Sequence, residues 1–285
     1  MKYLSTAWSF FQSLRFSGKL GLLITLFWIV MALVGSNIAP YPVNDIGGGP
    51  LFSGFSARFW LGTDYLGRDI LTRILYGSRY TLGLALTAAV LASAVGTLLA
   101  LLAAVSGRWL EEILGRVNDA LLVLPGKVLS LMIVAVFGSS LPMLIITAVF
   151  TYWPGAYRIA FALASQLRTM DYVRVSQLRG ESRAYIALFE ILPNMIHPML
   201  ADFGLRFIYI VLLLSGLSFL GLGVQPPQAD WGTLVRENMQ GLFDGSPAVL
   251  MPALAIASLT IGVNLFIDSL QSRRPAALTL AKEGV

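Results

Sequence analysis

Long apolar runs are the feature that most constrains how this chain of 285 residues can fold. A helix needs about 20 mostly apolar residues to cross the hydrocarbon core of a bilayer. Runs of that kind fall at 20–39, 81–105, 117–138, 141–165, 199–222 and 248–268. The chain is 56% hydrophobic and only 12% charged, whereas soluble domains are roughly 25% charged. The sequence therefore predicts an all-α integral membrane protein with about six transmembrane helices.

The first 19 residues have the pattern of an amphipathic helix on a membrane surface. Their apolar residues recur at helical spacing, and their basic residues stand among polar neighbours. A signal peptide is the rival interpretation, but the following apolar run is long enough to span, and no clean A-x-A site follows it. We predict an amphipathic helix at 1–19 and the first transmembrane helix at 20–39.

The distribution of lysine and arginine predicts the orientation. With both termini in the cytoplasm, 12 of these residues fall in cytoplasmic segments and 5 in outer segments, and such a bias is typical of cytoplasmic loops. We expect an outer loop at 40–80, a core domain of five transmembrane helices at 81–268 that includes a cytoplasmic loop at 166–198, and a cytoplasmic tail at 269–285. The net charge of +5 then reflects contact with membrane lipid and not with nucleic acid.

The residue inventory excludes most catalytic chemistry. The chain has no cysteine and one histidine, His197, so it has no thiolate nucleophile and no multi-histidine metal site of its own. It also has no G-x-x-x-x-G-K-[ST] motif to cradle nucleotide phosphates. We predict a non-catalytic chain with no catalytic residue, no metal site and no cofactor.

Two local patterns predict how the spans pack and bend. Pro125-Gly126 in the third span and Trp153-Pro154-Gly155 in the fourth predict kinks or breaks, because proline removes a helix hydrogen bond. The second span has a stripe of small residues, which allows close helix packing in lipid. The stripe consists of Ala85, Ala89, Ser93, Gly96 and Ala100.

A polar stretch, YVRVSQLRGESRAYIALFEILPN at 172–194, interrupts the apolar runs. Residues 171–177 and 182–189 each suit a short helix, and Gly180 between them allows the chain to reverse at positive φ. Pro193 is expected to end the second helix before the fifth span begins. A basic, partly apolar helix pair of this kind is a candidate docking surface.

This stretch resembles the EAA loop of binding-protein-dependent ABC importer permeases. The family pattern is Glu-Ala-Ala, three residues, Gly, and then Ile-x-Leu-Pro. The chain matches at the glycine and the Leu-Pro, but its Glu-Ala-Ala is replaced; the corresponding residues are Arg174, Val175, Ser176, Gly180, Ile191, Leu192 and Pro193. Segments 61–82 and 217–234 resemble the dipeptide, oligopeptide and nickel group of these permeases, and the chain resembles the shorter permease of the pair.

The resemblance implies a type I ABC importer permease fold in the bacterial inner membrane. It also implies a second homologous permease, two ATP-binding subunits that hold ATP and Mg, and an extracytoplasmic substrate-binding protein. The substrate would be a peptide, nickel or a related metal chelate. The loop would couple closure of the ATPase to alternating access, and Asp171 or Glu181 would stand in for the family's glutamate.

Charged residues within the spans are candidates for the translocation pathway. A charge at mid-bilayer costs about 2.5–3.5 kcal/mol, so such groups are expected to face a cavity or each other. The candidates are Lys127, Arg158, Asp202 and Arg206. Asp202 and Arg206 are spaced to form an intrahelical ion pair, whereas Lys127 falls near the middle of the third predicted span without a local partner. A cationic pathway would suit a substrate with carboxylates.

A second charged cluster precedes the second span. Its residues are spaced to form ion pairs on a short interfacial helix, or to contact a partner; they are Asp64, Arg68, Asp69 and Arg73.

The alternative function is a self-contained secondary transporter. That class typically needs coupling-ion sites at mid-membrane and internal repeats, of which the sequence gives little sign.

Overall fold

The computed structural model describes residues 14–271, and within this range the regular structure is helical. Only 14–19 of the predicted amphipathic helix and 269–271 of the predicted tail lie within the described residues. Residues 16–19 begin the first helix, and residues 269–271 end the last one. The helices are α1 (Phe16–Ile38), α2 (Ile70–Ser106), α3 (Arg108–Val123), α4 (Gly126–Phe137), α5 (Leu141–Arg168), α6 (Asp171–Leu178), α7 (Arg183–Phe219), α8 (Trp231–Glu237) and α9 (Leu250–Gln271).

Four of the helices in residues 14–271 are long and apolar enough to cross a membrane, namely α1, α2, α7 and α9. Helices α3 and α4 supply a fifth span if they are counted together, although they bend by 87° where they meet. The fourth predicted span, 141–165, lies in the 28-residue helix α5. Arg158 and several polar and aromatic residues keep α5 below the apolarity of the other spans, so composition supports four or five spans instead of six.

The two proline motifs behave differently. The break predicted at Pro125-Gly126 is confirmed, since α3 ends at Val123 and α4 begins at Gly126. Helix α5, in contrast, runs through Pro154 without a break. Proline removes one hydrogen bond from a helix, and flanking helical turns can hold the segment together when it is buried against protein.

The contacts divide the described chain into two compact units, the first formed by residues 14–83 and 226–271. Within it, α1 packs antiparallel against α9. A Cβ atom at Gly21 would lie 2.5 Å from the carbonyl oxygen of Gly262, so the two backbones touch where neither residue has a side chain. Further along, the Trp28 indole donates to the Ser258 hydroxyl at 2.9 Å. Close packing of small residues thus holds this pair together.

A buried ion-pair network closes the loop before α2. The carboxylate of Asp64, which is fully buried, lies 2.7 Å from Arg68 Nε and 2.8 Å from Arg73 Nη1. Arg73 also lies 2.8 Å from the carboxylate of Glu237, just after the loop that follows α7. The predicted ion pairs are therefore confirmed for Asp64, Arg68 and Arg73, whereas Asp69 accepts from the backbone N–H of Thr72 at 2.8 Å. The short helix predicted for them is wrong, because Gly67 takes a positive φ of 73° in a tight turn and α2 begins only at Ile70.

The second unit, residues 84–225, is built around the packing of α2 on α5. A Cβ atom at Gly96 would lie 2.5 Å from the Cβ of Ala156, so the small-residue stripe of α2 lies directly against α5. Ala100 is fully buried in the same core, next to Trp153 and Tyr157. The stripe therefore serves helix packing, as its spacing predicts.

Candidate functional site

Residues 171–194 fold as two helical segments joined by a tight turn, and we call them the coupling hairpin. Helix α6 ends in a Schellman motif, in which the Gly180 N–H donates to the Gln177 carbonyl at 3.0 Å and the Glu181 N–H to the Ser176 carbonyl at 3.2 Å. Gly180 has φ +78°, a conformation that costs little only for glycine. The Ser182 hydroxyl then caps the first turn of α7 by accepting from the backbone N–H of Tyr185.

The two arms of the coupling hairpin are fixed to each other by an apolar contact layer and one polar bond. Val173 on α6 is fully buried in a cluster that also contains Ile186 and Ile191 of α7. The Ser176 hydroxyl donates to the Glu190 carboxylate at 2.8 Å. The hydroxyl at this position therefore links the arms, which the alanine of the family pattern has no group to do.

The outer face of the coupling hairpin is apolar and basic. Leu178 is 89% exposed and Val175 is 53% exposed. Arg174 and Arg179 are exposed beside them, and Asp171 forms only a loose ion pair with Arg174 at 3.8 Å. A leucine exposed to this degree beside two arginines has the character of a protein contact surface.

The second arm does not end at Pro193, so this prediction is wrong. Helix α7 continues through Leu192-Pro193 to Phe219, and Ile186–Ile191 forms a π-helical turn in which the Leu192 N–H donates to the Ala187 carbonyl five residues earlier. The wider turn shifts the hydrogen-bond register just ahead of a residue without an N–H. Of the motif residues here, Ile191 is fully buried, and Pro193 is exposed.

Two arginines join the coupling hairpin and the end of α5 to the last turn of α2. Arg183 donates to the carbonyl of Ser106 at 2.8 Å, and Arg168 donates to the carbonyl of Ala104 at 2.6 Å. These carbonyls have no partner within the helix, and positive charge is favourable at a helix C-terminus. Arg168 and Arg183 therefore act as a capping clamp between the hairpin and α2.

A groove of about 490 Å³ lies beside this clamp, and its lining shows which acidic groups are near the motif. It is lined by Arg168, Arg174 and Arg183, with Glu181 as the one carboxylate in its wall. Glu181 is half-buried there, whereas Asp171 is 97% exposed. Neither carboxylate occupies the first position of the motif, where Arg174 stands.

The charges predicted within the spans fall into two groups. Asp202 and Arg206 form an ion pair at 2.5 Å on α7, and Arg206 also donates to the Tyr152 carbonyl of α5 at 2.6 Å. Arg206 is only 5% exposed and reaches this position beside Gly155, which offers no side chain to block it. The pair is thus a packing element between α5 and α7.

The other two charges stand free of ion pairs within residues 14–271. Lys127 lies next to the break at Pro125, in the first turn of α4, where it is exposed. A cation is unfavourable at a helix N-terminus, so helix stability gives no reason for it. Arg158 is exposed on α5.

A family model described as "Binding-protein-dependent transport system inner membrane component" matches residues 96–274, which include the whole coupling hairpin. The chain belongs to this family. It is therefore an inner-membrane permease component of an ABC importer and is not itself catalytic, which confirms the resemblance read from the sequence. Membership also places it with ATP-hydrolysing partner subunits.

Relatives of known name cover nearly the whole chain. Three Brucella proteins named for peptide transport are 36% identical over 90% of this chain and 86% of their own length. The di/tripeptide transport system permease protein of Pseudomonas aeruginosa is 33% identical over 88% of this chain and 85% of its own. The nickel transport system permease protein of Escherichia coli K12 is 29% identical over 92% and 95%.

Several residues of the site were not predicted from the sequence. Arg168 and Arg183 entered only as part of a charge count, and Glu190 and Leu178 had no assigned role. The contacts of Arg168, Arg183 and Glu190 join residues 14 to 77 positions apart, so local periodicity does not indicate them. For Leu178, the signal was present, because it is the last apolar residue before the glycine turn.

We expect Gly180→Ala in the permease to loosen the coupling hairpin. The change forces a Cβ into positive φ and should cost about 1 kcal/mol locally, although no atom crowds that position. Hydrogen exchange should rise at the amides of Gly180 and Glu181. Gly216→Ala is the matched control, since Gly216 lies in α7 with open space around it and without positive φ. Equal exchange in both variants would contradict the prediction.

Proposed function

We propose that this permease moves peptides, nickel or a related metal chelate inward, and that residues 166–198 couple that movement to ATP hydrolysis by its partners. The observation that supports this most is the coupling hairpin, a rigid surface with Leu178, Val175, Arg174 and Arg179 exposed. The sequence has no phosphate-binding loop of its own. A chain of this family needs its energy delivered from outside, and the hairpin is the surface best suited to receive it.

The partners in this proposal are two ATP-binding subunits, a second homologous permease and an extracytoplasmic substrate-binding protein. ATP and Mg belong to the ATP-binding subunits. The relatives named above support a cargo of small peptides or nickel, and the binding protein is expected to select among these. The self-contained secondary transporter is the alternative, and family membership disfavours it.

The contact with the ATPase differs from the family pattern in the sign of one charge. Arg174 stands where the pattern has glutamate, and its side chain is 66% exposed. We expect it to meet an acidic group of the ATPase instead of a basic one. The other motif residues then act indirectly: Ser176 and Ile191 hold the two arms together, and Gly180 sets the turn.

Motion of the coupling hairpin reaches the membrane helices by three routes in this proposal. It continues directly into α7 through Leu192 and Pro193, and it follows α5 along the chain. The third route is the clamp of Arg168 and Arg183 on the end of α2. Since charged hydrogen bonds are stronger than neutral ones, this clamp can pull on α2 as well as push on it.

Among the charges considered for the pathway, we assign Lys127 and Arg158 to it and leave Asp202 and Arg206 out. The latter pair is held between α5 and α7 by contacts within residues 14–271, whereas the first two stand exposed and without ion pairs there. A carboxylate-bearing cargo passing these cations would find favourable charge.

Leu178→Ala should weaken the hold of the ATPase on the permease. Truncating a central apolar contact costs about 1–2 kcal/mol, which corresponds to roughly tenfold in affinity. The measurement is recovery of ATPase activity with the tagged permease from mild detergent. Leu220→Ala is the control, because Leu220 is also exposed, at 60%, but lies at the far end of α7. If the native chain recovers no ATPase and still moves solute without ATP, the secondary transporter replaces this proposal.

Lys127→Met should slow uptake while leaving ATPase recovery intact. The change removes a cation from the pathway but no ion pair. Initial uptake rates of labelled cargo in cells are the measurement, with Arg116→Met as the control for loss of an exposed positive charge. Unchanged uptake in the Lys127 variant would make that residue structural.

The proposed orientation, with the coupling hairpin and both termini in the cytoplasm, can be tested directly because the chain has no cysteine. Single cysteines at the exposed positions Ser182 and Asp244 provide one reporter on each side. A membrane-impermeant maleimide added to spheroplasts should label the Asp244→Cys variant and spare the Ser182→Cys variant. The reverse pattern would overturn the orientation.

A further inference from the structure

A polar cleft lies between α3 and α5, apart from the coupling hairpin. Its volume is about 460 Å³, within the range of small-molecule pockets. Residues of α3 from Arg108 to Asp119 form one wall, and Tyr157, Arg158 and Phe161 of α5 form the other. The cleft lies wholly within the second unit and is open on one side.

Two buried polar atoms in the walls of this cleft have no hydrogen-bond partner within the described part of the chain, residues 14–271. Asn118 is 2% exposed and its Oδ1 accepts no hydrogen bond, and Tyr157 is 3% exposed and its hydroxyl makes none. Buried polar groups are almost always hydrogen-bonded, so two unpaired ones in the same cleft require an explanation. An acceptor and a hydroxyl in the walls of one cleft suit a ligand that brings both a donor and an acceptor.

The charges that line the cleft are of both signs, and three of them are uncommitted. Within residues 14–271, Arg108, Arg158 and Asp119 form no salt bridge, and all three are exposed. Glu112, in contrast, is held by Arg116 at 2.6 Å, and Glu111 lies 3.8 Å from Arg168. The cleft therefore offers two free cations and one free anion to a ligand.

We propose that the α3–α5 cleft is a transit site for short zwitterionic peptides. Arg158 binds the terminal carboxylate and Asp119 the terminal ammonium, while Asn118 Oδ1 accepts from a peptide N–H and the Tyr157 hydroxyl donates to a peptide carbonyl. A polyanionic metal chelate suits the site less well, because the cleft walls hold three carboxylates, those of Glu111, Glu112 and Asp119, against two arginines. This inference rests on the proposed importer function and narrows its cargo.

Saturation-transfer NMR with the dipeptide L-alanyl-L-alanine tests the site. The permease is placed in nanodiscs with whatever subunits accompany it from the membrane, and without the binding protein. We expect a saturable signal for alanyl-alanine and little for its N-acetylated, C-amidated form, which has no terminal charges. Arg158→Gln and Asp119→Asn should each weaken binding about tenfold, because each removes one charged hydrogen bond.

Arg79→Gln is the matched control, since Arg79 lies on α2, is exposed and is not part of the cleft wall. It should bind alanyl-alanine as the native protein does. The inference is overturned if the native protein gives no saturable signal, if the blocked peptide binds equally well, or if both cleft variants bind like Arg79→Gln. ATPase recovery in the same preparation is a separate readout: its presence without dipeptide binding sinks the transit site alone, and its absence sinks the importer function.

Discussion

Close backbone contact between helices is the constraint on which the rest of this permease depends. Lipid gives helices no hydrophobic reason to associate, so packing must come from surfaces that fit tightly. Gly21 meets Gly262 in the first unit, and Gly96 meets Ala156 in the second. These contacts fix the frame on which the polar features stand. Because small residues are used for the frame, the larger polar residues are available for other tasks.

The polar groups of the chain then fall into two classes, those with partners inside the chain and those without. The Asp64 network and the Asp202–Arg206 pair have their ion-pair partners within residues 14–271, although Arg68 Nη2 and Arg206 Nε make no hydrogen bond there. Both tie together segments that are distant in sequence or lie on neighbouring helices. Lys127, Arg158 and the unpaired atoms of Asn118 and Tyr157 are incomplete. An incomplete polar group is costly in a membrane protein, so those that persist point to ligands or partners. The division separates structure from function without reference to position along the chain.

Much of the fold follows from sequence because its signals are local. Apolar run length gives the spanning helices, the small residues of α2 give its packing face, and Gly180 between two helical stretches gives the hairpin turn. The misses have non-local or subtle causes. The π-helical turn before Pro193 has no composition signal. The hydrogen bonds of Arg168, Arg183 and Glu190 depend on which helices pack against each other, and the periodicity of the sequence does not predict this.

The π-helical turn at Ile186–Ile191 gives the permease a point at which helix α7 can change its geometry. A π turn holds about one residue more than an α turn, and successive residues of an α-helix are separated by about 100° of rotation. Returning this turn to α geometry would therefore twist everything before it relative to the span that follows. In the proposed coupling role, a force applied to the hairpin from outside the bilayer would in this way rotate α7 about its own axis. Pro193, which lacks an N–H, stands where such a change of register meets the least resistance.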